Sequence, residues 1–185
     1  MTDGVPGTLR IMADDDLDLV LAWRNSPAVR RNMYTSHEIS AEEHRAWWAR
    51  MHDAKDRHDL IFEDNERPLG VVSFSQVSHS DRNAVWAFYA ATDAPRGTGS
   101  QMEFAALDFA FKRLELHKLS CEVLAFNEPV IKLHHKFGFT IEGIFRQHHR
   151  RGEEFVDVVR LAILHDEWKS MRPAMSGKLR ATASR

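Results

Sequence analysis

Asn127-Glu128-Pro129-Val130-Ile131-Lys132-Leu133-His134-His135-Lys136-Phe137-Gly138-Phe139 decides how this 185-residue chain is read. The stretch predicts a strand ending at Asn127, a short helix with Pro129 in its first turn, and a sharp turn at Gly138 into another strand. About thirty residues upstream, Arg96-Gly97-Thr98-Gly99-Ser100 separates a predicted strand from a predicted helix. Glycines there let the backbone approach a ligand unobstructed, and the first amides of a helix are unpaired donors aligned with its dipole. Such a loop can cradle a diphosphate. Alone, a Gly-x-Gly turn reads first as an ordinary strand-to-helix connection, so the weight falls on the order and spacing of both segments.

Composition narrows the classes. A hydrophobic content of 43% and a charged content of 28% fit one globular domain with a sizeable core. A formal charge of −2 supplies no basic field for nucleic acid, although a basic pocket for a phosphorylated ligand is compatible with it. No apolar run approaches the roughly 20 residues that span a bilayer. Residues 1–7 lack a basic region and an apolar core, so no signal peptide is expected. The lone cysteine, Cys121, excludes an intrachain disulfide framework and fits a reducing compartment, so a cytoplasmic location is expected. Eleven histidines include the pairs His134-His135 and His148-His149. Neither His-Glu-x-x-His nor Cys-x-x-Cys spacing occurs, and no metal is expected.

Residues 8–12 read as a first strand, followed by a helix capped by Asp14 or Asp15 and carrying Leu17, Val20, Leu21 and Trp23. Ser40-x-x-Glu43 is a capping-box pattern opening a second helix. Strands are predicted over 60–63, 69–74 and 84–91, and a helix over 99–116 with Phe104, Leu107, Ala110, Phe111 and Leu114 on one face. Residues 119–126 form a strand, and 139–145 with 155–164 an antiparallel pair. A single domain over 8–172 is expected, with a mobile tail over 173–185.

The two motifs, in this order, resemble the acyl-CoA-binding half of the GCN5-related N-acetyltransferases. The resemblance implies an α/β fold: a central, mostly antiparallel twisted sheet, flanked by helices, with a splayed central strand pair. It implies acetyl-CoA as co-substrate, held by Arg96, Gly97, Thr98, Gly99, Ser100 and Gln101 at the diphosphate and by Asn127 along the pantetheine, with Lys136 a solvated cation near the helix end. Amides of Thr98, Gly99 and Ser100 are the expected donors. Gln101 departs from the family's small residue at the last motif position. The family also places Tyr seven residues after the Asn, aimed at the sulfur; here His134 stands instead. An imidazole near pKa 6.5 is a stronger acid than a phenol near 10, so His134 can take over as thiolate acid. Glu122, among Cys121, Val123 and Leu124, is the expected general base, working through a water; its alternative reading is a strand carboxylate paired with Lys118 or Arg146. Backbone around Phe88-Tyr89-Ala90 should lie beside the thioester.

Trp23-Arg24-Asn25, Arg30, Met33-Tyr34, Ile39, His44, Gly70-Val71-Val72-Ser73-Phe74, Leu119-x-x-Glu122 and Asp157-Val158 resemble, more narrowly, the pseudaminic-acid pathway acetyltransferases over residues 8–170. That likeness implies acetylation of the 4-amino group of a UDP-linked amino-dideoxy sugar, on the route to flagellin glycosylation. Arg24 and Arg30 would meet the diphosphate, Met33 and Tyr34 the uracil, and His44, Ser75, Gln76 and Tyr89 would complete the lining. A peptide N-terminal or polyamine acetyltransferase is the close alternative, and a non-catalytic acyl-CoA-binding module a second. The sequence leaves open whether the chain forms a homodimer.

Overall fold

The computed structural model describes residues 4–183; residues 1–3 and 184–185, which belong to the expectations on the N-terminus and the tail, lie outside the described residues. Seven strands form one sheet: β1 (Thr8–Ile11), β2 (His58–Asp64), β3 (Arg67–Ser78), β4 (Asn83–Ala90), β5 (Lys118–Leu124), β6 (Thr140–Arg151) and β7 (Glu154–Leu164). Their order is β1-β2-β3-β4-β5-β7-β6, antiparallel everywhere except between β4 and β5. The expected mixed, mostly antiparallel sheet flanked by helices is the one observed.

The splay follows from what holds each central strand. β4 pairs with β3 as far as Gly70↔Ala90, and β5 pairs with β7 as far as Leu124↔Val158. Between them only Asn83↔Lys118, Ala84↔Leu119 and Val85↔Ser120 are in register. Beyond Val85 the two strands are tied outward and part from one another. Backbone polar groups along the inner edges are thereby left for a ligand.

At β2 and β3 both sheet faces are covered, which explains strands apolar at consecutive positions such as Leu60-Ile61-Phe62. On one side α4 (Thr98–Asp108), α5 (Glu128–Lys136) and α6 (His165–Ala183) close a core containing Phe74, Trp86, Met102, Leu107, Phe137 and Trp168. On the other, α1 (Leu17–Asn25), α2 (Pro27–Arg30) and α3 (Ala41–Met51) cover a smaller cluster around Val20, Trp23, Ile61 and Val71. α4 lies close to the sheet because Gly70 has no side chain: a Cβ there would meet the Met102 methyl and the Tyr89 carbonyl, each at 2.6 Å.

Local chemistry departs from the sequence reading in three places. Neither Asp14 nor Asp15 caps α1; both lie in a 3-10 turn over Asp14–Asp16, and Asp16 instead accepts the Ala13 amide and a forked bond from Arg10. Ser40 does cap α3, accepting the Glu43 amide at 3.1 Å, but the Glu43 carboxylate turns to His37 rather than closing the box. The helix after the glycine loop ends as α-helix at Asp108 and loosens into a π turn over Phe109–Arg113.

The largest correction concerns the tail. Residues 173–183, read as mobile, are the second half of α6, which runs through Pro173. Met175 and Leu179 are buried, continuing a stripe begun by Trp168 and Met171 at helical spacing. Among the described residues no helix is long and apolar enough to cross a membrane.

Candidate active site

The opening between β4 and β5 is a cavity of about 420 Å³. Its walls include Trp86, Phe88, Tyr89 and Ala90 from β4, Glu122 and Val123 from β5, Asn127, Leu133 and His134 at α5, Gly99 at α4, and Val29 and Met33 at α2. One cleft therefore joins the glycine loop, Asn127 and His134, the arrangement on which the acyl-CoA reading depends.

The loop is built by glycine. Gly97 takes φ +97°, a left-handed conformation, as N-cap of α4, with nothing within 4 Å of where its Cβ would be. At Gly99 a Cβ would stand 3.5 Å from Leu133. Of the expected amide donors, Thr98 is spent on the Pro95 carbonyl and Ser100 on the Gly97 carbonyl, at 3.2 and 2.9 Å; Gln101 also turns its amide to Gly97. The Gly97 and Gly99 amides have no hydrogen-bond partner among the described residues, which concentrates the donor capacity at the two glycines. Arg96 is exposed beside them, and Lys136, at the far end of α5, is exposed away from the cavity wall.

Asn127 precedes α5, whose first turn holds Pro129 as expected. Its carbonyl is used locally, accepting the Val130 and Ile131 amides, while its side chain caps nothing and borders the cavity. His134, two turns into the helix, is 2% exposed and packed against Trp86, Phe88 and Phe139. Its Nδ1 lies 2.8 Å from Oε1 of Glu103, a fully buried acid of α4 that the sequence reading did not single out. His135 turns the other way, with Nδ1 3.0 Å from the Phe139 carbonyl oxygen.

Glu122 is not enclosed by apolar neighbours, contrary to expectation. Arg160, directly opposite it in the β5–β7 register, donates to Oε1 at 2.9 Å and also to Ser120. Tyr34 donates to Oε2 at 2.9 Å. Lys118 pairs with Glu142 instead, and Arg146 is not the partner. Tyr34, expected on a nucleobase, is thus committed to the carboxylate at the cleft. Burial, reinforced by Glu122, raises its phenol above the ordinary range.

Tyr89 separates this cleft from a second cavity of about 340 Å³, lined by Arg24, Ile39, Glu43, His44, Trp47, Arg50, Arg57 and Ser73 as well. Arg24 donates through Nη2 to the Thr35 carbonyl at 2.8 Å, whereas its buried Nη1 has no partner among the described residues. Burial lowers the His44 imidazole below its ordinary value. Arg24, His44 and Tyr89 are therefore brought together as expected, and Met33 is on the main cleft. Ser75 and Gln76 are not on either wall: they flank the bulge that follows Ser75, Gln76 in a left-handed conformation, and Ser73 occupies the lining instead. Arg30 faces Glu38 at 3.5 Å and lines neither cavity. Among the described residues no three His, Cys, Asp or Glu side chains form a metal-binding group.

Comparison with known proteins agrees with this architecture. Residues 8–140 match the family model described as an acetyltransferase (GNAT) domain. Acetyltransferase PseH of Campylobacter jejuni is 30% identical over 127 residues, covering 68% of this chain and 78% of the relative. Spermidine N(1)-acetyltransferase of Escherichia coli is 24% identical over 162 residues, 86% of this chain and 87% of the relative. In fold, the crystal structure of spermidine N-acetyltransferase from Vibrio cholerae in complex with CoA and spermine superposes with a TM-score of 0.82 at 22% identity, covering 89% of this chain and 98% of that one. A wedge between β4 and β5, a glycine-built helix start beside it and this match over most of the chain place it in the GNAT acetyltransferase family, as an N-acetyltransferase that uses acetyl-CoA.

Proposed function

We propose that the chain acetylates the 4-amino group of a UDP-linked amino-dideoxy sugar, as in pseudaminic acid biosynthesis and flagellin glycosylation. The observation that carries this reading is the second cavity. It presents Arg24 and Arg50 beside the single lining acid Glu43, with Arg57 paired to the buried Asp59 behind the wall, and Arg24 Nη1 is buried there without a partner among the described residues. A buried guanidinium nitrogen lacking an acceptor is costly, and an anionic group such as a diphosphate would satisfy it. His44, Ser73 and Tyr89 supply polar edges around it. Likeness to PseH over two thirds of the chain supports the same acceptor class.

In this reading acetyl-CoA lies in the main cleft, its diphosphate at the Gly97 and Gly99 amides and its pantetheine against Asn127. The thioester rests beside the free edge of β4. Glu122, fixed by Arg160 and Tyr34, receives the amine proton through a water, and His134 protonates the departing sulfur. A cytoplasmic location and a homodimer are proposed alongside. Glu122→Gln keeps the side-chain shape while removing the proton acceptor. It should lower kcat about tenfold or more with little change in acetyl-CoA affinity by calorimetry; an unaltered kcat would restrict Glu122 to a structural ion pair.

Polyamine acetylation is the competing reading, favoured by the likeness to the Escherichia coli spermidine enzyme. A polyamine is a polycation and calls for acidic walls, whereas arginines outnumber acids in the second cavity. Thiol release from acetyl-CoA, measured with a UDP-amino sugar, spermidine and a peptide amine, decides among them. Turnover should be confined to the nucleotide sugar. Arg24→Met should raise its KM about thirtyfold or more, the loss of one charge-assisted contact. Turnover on spermidine or peptide alone would overturn the assignment, and acetyl-CoA binding without thiol release on any acceptor would indicate a non-catalytic module.

A further inference from the structure

Glu103 has a setting shared by no other acid among the described residues. Asp16 and Asp59, also buried, are each clasped by an arginine, Arg10 and Arg57. Glu103 is 0% exposed and meets no arginine or lysine; its Oε1 reaches His134 Nδ1 and its Oε2 has no hydrogen-bond partner. An acid so placed is destabilising unless its charge or proton is shared. Packing does not call for it, since Met102, Phe104 and Leu107 fill the same part of α4. The imidazole it holds borders the acyl-CoA cleft, and Nε2 has no hydrogen-bond partner among the described residues. The costly acid thus holds an imidazole that forms part of the cleft wall.

We propose that Glu103 and His134 work as one proton-holding unit, in which Glu103 fixes the imidazole through Nδ1 and leaves Nε2–H to pass its proton to sulfur as CoA departs. This rests on the reading of His134 as the acid given above; Glu103 is a positioning residue and touches no substrate. In its loaded form the unit carries two protons, one on Nε2 and one between Nδ1 and Oε1, and is neutral overall. As the amine nitrogen bonds to the carbonyl carbon, the C–S bond breaks and its electron pair goes to sulfur. Sulfur takes the Nε2 proton, giving the CoA thiol. What remains is a neutral imidazole whose Nδ1–H donates to the Glu103 carboxylate. The amine's surplus proton leaves through Glu122 to solvent, and the unit reloads from solvent after CoA dissociates, so protons balance over one turnover.

The surroundings favour the loaded form. Burial pushes the Glu103 carboxyl upward, with His134 and then Lys136 opposing it; the net direction is up. Cys121 on β5, raised by its own burial, stays a neutral thiol. Glu122 and Arg160 are paired with each other, and the remaining groups around the ring, Trp86, Phe88 and Phe139, carry no charge. The unit discharges as pH rises, so kcat should fall on the alkaline side. A neutral amide at position 103 cannot balance an imidazolium, and the second proton should then be lost at lower pH.

Glu103→Gln tests this. The alkaline limb of the kcat profile should move about one unit or more toward acid, with kcat at pH 8 about tenfold lower and KM for acetyl-CoA within about twofold. A uniform loss with the limb unmoved would mean that Glu103 only supports the fold. His134→Phe separates the layers. Full turnover there would remove the acid reading itself, whereas lost turnover together with a wild-type profile in Glu103→Gln would remove only the role of Glu103. Should Glu103→Gln fail to fold, nitrogen NMR of the wild-type imidazole decides. Nε2 carrying a proton at pH 7 is expected; a bare Nε2 throughout pH 6–9 would overturn the unit.

Discussion

His134→Phe should lower kcat for acetyl transfer by about a hundredfold or more, equivalent to about 2.7 kcal/mol of barrier. Phenylalanine keeps an aromatic ring against Trp86, Phe88 and Phe139, so the packing of the cleft wall survives. What disappears is the imidazole proposed as the acid for the leaving thiolate. His134→Tyr returns a hydroxyl at that position and should recover part of the lost rate. Equal, near-wild-type turnover in both variants would exclude His134 from the chemistry. Removing the imidazole also strands Glu103, so a loss of stability is expected beside the kinetic one. The double variant Glu103→Leu with His134→Phe separates them: replacing both members of a buried polar pair by apolar groups should restore much of the stability without restoring kcat.

Parts of this site were legible in the sequence wherever the chemistry is local. Pro129 in the first turn of α5, glycine at the left-handed Gly97 and Gly138, and the serine cap of α3 are each dictated by a few adjacent residues. Together they mark where the glycine loop ends and the Asn127 helix begins. Partners supplied by distant strands were not legible. Arg160 reaches Glu122 because β5 and β7 are in register at those positions, a pairing no local pattern encodes. Ser73 rather than Ser75 lines the second cavity because the bulge after Ser75 ends that wall sooner. Glu103 left one faint trace: an acid at helical spacing from Leu107 within the otherwise apolar run 102–107. An acid on a buried face needs a partner, and here that partner, His134, comes from a different helix, so no local pattern announces it.

The C-terminal helix offers the second large effect. Trp168→Ala should destabilise the domain by about 3–5 kcal/mol, read as a lower urea midpoint. Trp168 is 2% exposed, stacks edge-on against Phe104 and lies against Phe137, and donates its indole N–H to Asp108 at 3.1 Å. Arg172, one turn later, donates to both oxygens of the same carboxylate. α6 is therefore clamped to α4, the helix that presents both the glycine loop and Glu103, and loosening it should weaken acetyl-CoA binding as well. The clamp also predicts acid sensitivity. Burial alone would raise the Asp108 pKa, but bonds from Arg172, Lys112 and Trp168 outweigh it and hold the value below the ordinary carboxylate range. A carboxylate depressed in this way contributes stability above its unfolded pKa, about 3.9, and loses that contribution as pH falls through the lower folded value. Asp108→Asn should flatten the acid side of the stability profile while leaving a destabilised protein at pH 7. A steep acid limb retained in that variant would assign the sensitivity to another group, and an unchanged urea midpoint in Trp168→Ala would mean that the indole contacts do not hold α6 to the domain.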